Sequence, residues 1–214
     1  MARTSHRTNP YLFNNQAFSD ITLVHRDTKG FHREYHAHKA ILCMSSEYFR
    51  KLFSEYDPNG KHIVLGFDDH MHFALLLKRM YSKDYDKAEI VRLAADDREQ
   101  RILIPMGIRR VAEKYGVDTV YTQATEDVRA MLFMDETDDF LKAVVAAYYK
   151  DAEVDPAMRR IIVTAALASS SGFLESAWYK SFVKSFPRFA ADMELTKGSD
   201  PFGSIARGIK EAEC

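Results

Sequence analysis

Phe18-Ser19-Asp20-Ile21-Thr22-Leu23-Val24 is followed by Tyr35-His36-Ala37-His38-Lys39-Ala40-Ile41-Leu42, and then by Ser45-Ser46-Glu47-Tyr48-Phe49-Arg50-Lys51-Leu52-Phe53. Asp20 to His25 consists of β-formers, with Ile21 and Leu23 two residues apart, which predicts a strand. Asp27-Thr28-Lys29-Gly30 is a turn signal, so Phe31 to His38 reads as the returning strand of a hairpin. Lys39 to Met44 predicts a short helix. Ser45 or Ser46 can cap a second helix from about Glu47 to Phe53, because a serine hydroxyl accepts from a free backbone N–H. Phe49, Leu52 and Phe53 then share one face.

Beyond this stretch, Asp57-Pro58-Asn59-Gly60 breaks the chain and His62-Ile63-Val64-Leu65 predicts a third strand. Asp68 or Asp69 caps a helix over Met71 to Tyr81, with Phe73, Leu76, Leu77 and Met80 at helical spacing. Residues 86–101 are dense in both charges and read as a solvated insert, with Ile90, Val91, Leu93 and Ala94 as a helical side. Ile102 to Tyr115 predicts a helix stopped by Gly116, and Val117 to Phe133 a further one. In the tail, Phe140 to Lys150 is helical. Asp155-Pro156 opens a helix through Ala168, and Ser169-Ser170-Ser171-Gly172 ends it. Phe173 to Phe186 is amphipathic up to a break at Pro187. The expected organisation is a flexible arm over 1–15, a domain over 16–134, a helical extension over 138–196 and a frayed tail over 197–214.

Composition narrows the function. Forty-six per cent hydrophobic residues in 214 allow a substantial core. Thirty basic residues against thirty-one acidic ones argue against binding nucleic acid through bulk charge. No run approaches the ~18 apolar residues of a membrane span, and the N-terminus has no apolar signal core. Cys43 and Cys214 are too few for a disulfide framework, which fits a reducing compartment, cytoplasm or nucleus.

The quoted stretch resembles the opening of a BTB/POZ domain. Phe73-Ala74-Leu75-Leu76-Leu77-Lys78-Arg79-Met80-Tyr81-Ser82-Lys83-Asp84-Tyr85 is similar to that family's third helix and its exit. Val111-Ala112-Glu113-Lys114-Tyr115-Gly116-Val117 is similar to its next helix, which ends in Ala-x-Lys-Tyr. The short loops, with a charged insert before the fourth helix, resemble the BTB proteins common in fungi. The resemblance implies an α/β (α+β) fold, with a small three-stranded sheet and helical hairpins followed by a helical C-terminal extension. It also implies protein–protein contact rather than catalysis, and a hydrogen bond between Asp20 and His38 that ties the first strand to the first helix.

Two partner readings follow from the resemblance. The first is a substrate adaptor of a cullin-3 ubiquitin ligase, with a binding face of Tyr48, Phe53, Glu55, Tyr56, Tyr81 and Tyr85. Cullin-binding members often carry an apolar-x-Glu element after the second helix. Here that loop reads Tyr56-Asp57-Pro58-Asn59-Gly60, and Phe53-Ser54-Glu55 has the letters earlier. The second is a self-associating scaffold or transcriptional co-regulator module using Tyr11, Leu12 and Phe13. That arm is short and weakly apolar, so both a homodimer and a monomer stay open. Phe49 and Phe53 are expected inside, and Tyr81 and Tyr85 at a wet edge. Trp178, Tyr179, Phe182 and Phe186 are the candidate surface of the tail, or its own core.

Other chemistry finds little support. Seven of the eight histidines fall between residues 25 and 72, but no Cys-x-x-Cys pair accompanies them, so no metal and no cofactor is expected. Asp68-Asp69, Asp96-Asp97 and Asp138-Asp139 are adjacent pairs whose side chains diverge, unlike a paired-carboxylate site. Ser169-Ser170-Ser171-Gly172 lacks a Gly-x-Ser-x-Gly elbow. Phe202-Gly203-Ser204 is no phosphate loop.

Overall fold

The computed structural model describes residues 10–27, 30–66, 68–82, 85–134, 138–150, 155–168 and 177–197. Outside them lie the expected arm before Pro10, the Ser169–Gly172 stop and the tail after Lys197. Among the described residues two compact units are distinguished. The first runs to Asp96 and includes Ile104–Asp127; the second comprises Asp97–Leu103 and the chain from Val128 on.

In the first unit, β1 (Ile21–Arg26) pairs antiparallel with β2 (His32–Ala37), and parallel with β3 (His62–Gly66), in the order β2-β1-β3. Ile21 faces Ala37, Leu23 faces Tyr35, and Leu23 also faces Ile63. Side chains alternate faces along a strand. Ile21, Leu23, Tyr35, Ala37, Ile63 and Leu65 are therefore all buried on one side, and Val64 is exposed on the other.

Helix α1 (Lys39–Ser45) meets α2 (Glu47–Lys51) at Ser46, and α2 widens into a π turn over Leu52–Tyr56. The Ser46 hydroxyl accepts from Phe49 N–H at 3.1 Å, as its role as N-cap requires, and donates to the Tyr115 carbonyl. Helix α3 (His70–Ser82) begins behind Asp69, whose carboxylate accepts from the N–H groups of Met71 and His72. It buries Phe73, Leu76, Leu77, Met80 and Tyr81.

The charged stretch 86–101 is ordered into helix. Asp86 caps α4 (Lys87–Ala94), accepting from Glu89 N–H, and Ile90 and Ala94 are buried while Val91 and Leu93 stay exposed. Lys87 and Arg92 occupy the wet side of this amphipathic helix, and Glu89 is largely buried. Helix α5 (Arg98–Lys114) starts four residues before the expected Ile102, with Asp97 accepting from Glu99 and Gln100 N–H. Pro105 lies inside it and has no N–H for the Arg101 carbonyl. Gly116, at φ +59°, ends it, and its carbonyl accepts from Glu47 N–H. Helix α6 (Asp118–Met134) follows. The unit's core centres on Phe49, Phe73 and Tyr115: Phe49 stacks on Tyr115 with centroids 5.8 Å apart, and Phe73 meets Tyr115 edge-on at 5.3 Å.

The second unit contains α7 (Asp138–Tyr149), α8 (Pro156–Ala168), α9 (Ala177–Ser185) and α10 (Pro187–Lys197). Asp155 accepts from Ala157 and Met158 N–H, and Pro156 takes the first helical position. Pro187 does the same for α10, so the expected break is a helix start. Phe189 and Met193 of α10 are fully buried. Asp192 accepts from Tyr149 Oη at 2.9 Å and from Arg159 Nη1 at 3.0 Å. Phe182 is buried and stacks on Phe186 at 4.4 Å, so these two residues belong to the tail's own packing. The Trp178 side chain lies outside the described residues.

Candidate protein-interaction surface

Most of the residues expected to meet a partner fall into three groups. The first group joins β2 to α3. His38 Nε2 lies 2.8 Å from the Ala17 carbonyl, which can only accept, so that nitrogen carries the proton. In neutral His38, Nδ1 then accepts from Tyr81 Oη at 3.0 Å, and Tyr81 Oη accepts in turn from His38 N–H at 3.0 Å. Burial pushes the Tyr81 hydroxyl up to about 12; Asp20 adds to the rise, and the bond from His38 N–H opposes it. Tyr81 is 2% exposed. It is a core strut and not the wet-edge contact expected from its amphipathic ring.

The direct bond expected between Asp20 and His38 does not form. Asp20 Oδ1 accepts at 2.8 Å from Lys39 N–H, one residue further along. The reason is the helix start: Lys39 N–H is among the orphan donors of α1, while both His38 ring nitrogens already have partners. Strand and helix are still tied together, through the backbone.

The second group is the arm. Leu12 and Phe13 pack against the unit's own core, with Phe13 edge-on to Tyr81 at 5.9 Å. Asn14, at φ +51°, accepts from His36 N–H at 3.0 Å. Tyr11 stays 85% exposed. Phe18 is 91% exposed and sits at φ +60°, an unfavourable region for an aromatic residue. Its exposure was not legible, since a Phe beside a strand reads as core.

The third group is the α2 ridge. Tyr56 is 77% exposed at the end of the π turn, and Glu55 beside it is exposed. Tyr48 is 37% exposed, its ring held edge-on by Phe49 and Tyr115, both at 5.2 Å. Phe53 points inward and stacks on Phe49 at 5.9 Å, so it belongs to the core. Met44 is exposed near the end of α1; an apolar residue in a short helix carries no mark of facing out.

Tyr85 is off the ridge and packs, partly buried, against the core. It lines a cavity of about 480 Å³ floored by Leu75, Ile90, Ile108 and Val120, where Lys78 reaches Glu89 at 2.6 Å. Burial first, and the Asp127 carboxylate second, raise the Tyr85 hydroxyl far above its usual range. Of the six residues expected to meet a partner, Tyr48, Glu55 and Tyr56 therefore lie exposed along α2 and the π turn that continues it. Tyr85 lines the cavity, and Phe53 and Tyr81 are inside.

Among the described residues no cluster of three or more His, Cys, Asp or Glu could hold a metal ion, and no helix is long and apolar enough to cross a membrane.

The family model for the BTB/POZ domain matches residues 11–132. The chain belongs to the BTB/POZ family. Its matched part contains the sheet, the α1–α2 pair with its ridge, and helices α3 to α5 with most of α6. Among solved structures it is similar to the BTB domain of zebrafish PATZ1, at 19% identity over 53% of this chain and 77% of that one, with a TM-score of 0.38. No curated protein matches it. BTB domains are protein–protein interaction modules, and here a BTB fold precedes a helical extension.

Proposed function

We propose that this BTB domain docks a different protein through the α2 ridge, as the substrate adaptor of a cullin-3 type ubiquitin ligase. The observation that carries the reading is the division of α2. Phe49 and Phe53 anchor the helix in the core, and Tyr48, Glu55 and Tyr56 are left on its wet side. Tyrosine suits such a contact because its ring gives area at low entropic cost and its hydroxyl tolerates water. The packing of Leu12 and Phe13 on the domain's own core supports a single-copy module. Sedimentation of the full chain mixed with the N-terminal domain of cullin-3 tests this reading. A one-to-one complex is expected; a chain that sediments as a dimer and leaves cullin-3 free would overturn it.

One pair of residues favours the second reading, a self-associating scaffold. Tyr11, on the arm, and Phe18, just beyond it, are the most exposed aromatic residues described. Under that reading the chain sediments as a dimer, and Tyr11→Ala with Phe18→Ala returns it to a monomer.

A further inference from the structure

His25 and His70 meet inside the BTB unit, near the end of β1 and at the first residue of α3, with their Nδ1 atoms 2.8 Å apart. An imidazole nitrogen holds either a proton or a lone pair, so one Nδ1 donates and the other accepts. The far Nε2 atoms of both rings are buried and have no hydrogen bond. Each faces a carboxylate: Asp68 Oδ2 is 3.8 Å from His25 Nε2, and Asp27 Oδ2 is 3.7 Å from His70 Nε2. His25 is fully buried and stacks on Phe73 with centroids 4.2 Å apart.

Counting protons on the four nitrogens decides the state. Two neutral imidazoles bring two. One must sit between the Nδ1 atoms, so only one Nε2 is covered and the other turns a lone pair toward a carboxylate away from water, which is unfavourable. Four protons would set two N–H groups against each other across the Nδ1 contact. Three protons leave no lone pair against a carboxylate and no two N–H groups opposed: one proton lies between the rings, and one on each Nε2 faces its carboxylate.

We infer that His25 and His70 form a buried proton-binding site, holding one proton more than two neutral imidazoles and clasping β1 to the start of α3. The groups around it support the extra charge. Asp27 comes from the hairpin, its Oδ1 accepting from Phe31 N–H at 2.9 Å. Asp68 and Asp69 precede α3. His72 of α3 lies 3.5 Å from Asp69. From α5 come Arg110, which acts on His72, and Lys114, which with Tyr115 holds Asp68. Three carboxylates stand against two cations, and the positive end of α3 opposes the added charge only in part. The clasp works in one protonation state. Losing the third proton leaves a bare Nε2 against a carboxylate; gaining a fourth breaks the contact between the rings.

Nitrogen-15 NMR of the histidine side chains in the full chain at pH 7 tests the inference. The expected pattern has both Nε2 atoms protonated, with one proton shared by the two Nδ1 atoms. An unprotonated signature at either Nε2 would overturn it. Asp27→Asn alters a largely buried group of the hairpin that is outside the hydrophobic core. At the same pH it is expected to make a bare-nitrogen signature grow in at the pair, and an unchanged spectrum would also overturn the inference.

Discussion

Tyr115 donates its hydroxyl to Asp68 across 3.0 Å, tying the end of α5 to the residues that open α3. Lys114 reaches the same oxygen at 2.7 Å and also donates to the Gly66 carbonyl. Tyr115 in turn carries the ring of Tyr48. One buried carboxylate thus underlies the exposed ridge, and its ionisation should govern how the domain stands up to acid.

Burial alone would raise the Asp68 carboxyl, but His25, the Lys114 ammonium and the Tyr115 hydroxyl together hold it below the usual carboxylate range. A carboxyl depressed by folding stabilises the protein above its unfolded value of about 3.9 and loses that contribution as pH falls through the folded value. Denaturant melts between pH 7 and pH 2 should therefore show stability falling below about pH 4. Asp68→Asn should lower stability at pH 7 by about 1–3 kcal/mol, because buried donors lose their acceptor, and should flatten the acid limb. An unchanged limb in the variant would contradict this.

Gly116 sits at φ +59°, and a Cβ there would lie 3.2 Å from the Glu47 Cβ. The left-handed conformation costs a side-chain-bearing residue about 1–2 kcal/mol. Gly116→Ala should lose at least that in urea unfolding, with the slope unchanged. A neutral result would mean that α2 does not approach α5 as closely as described.

Gly107 is inside α5, and a Cβ on it would fall 2.1 Å from the His72 ring. Alanine normally helps a helix, so the sign here is diagnostic. Gly107→Ala should destabilise by about 1–3 kcal/mol through overpacking, and His72→Ala in the same chain should recover most of the loss. A double-mutant cycle with no coupling would refute the contact.

Phe53 and Tyr56 sit three residues apart and should behave oppositely. Phe53→Ala removes a buried ring and should cost about 3–5 kcal/mol. Tyr56→Ala should change stability by under about 0.5 kcal/mol, as exposed sites do. Thermal melts of the two variants separate them, and equal losses would contradict the division of α2.

The sequence made the hairpin, the α1–α2 pair and α3 legible because their cues are local. Asp27 and Gly30 bracket the turn, Ser46 caps, and Leu76, Leu77 and Met80 repeat at helical spacing. Residues 86–101 were harder. Nine charges mask an amphipathic helix in which only Ile90 and Ala94 reach the interior. Pro105 makes Ile102 look like a helix start, although Asp97 supplies the cap. Aromatic residues divided less cleanly. Tyr81 and Tyr85 carry the same side chain four residues apart, yet only the first meets a histidine that consumes its hydroxyl. The Asp20–Lys39 bond needs knowledge of which α1 donor is free, and spacing does not reveal that.

The central claim is that the α2 ridge binds a cullin. The most direct test is calorimetric titration of the full chain, and of its Tyr56→Ala and Tyr11→Ala variants, with the N-terminal domain of cullin-3. Wild type and Tyr11→Ala are predicted to bind more tightly than about 1 μM, with Tyr56→Ala weaker by about tenfold, ~1.4 kcal/mol. No heat from the wild type, or a loss carried by Tyr11→Ala in place of Tyr56→Ala, would contradict the account.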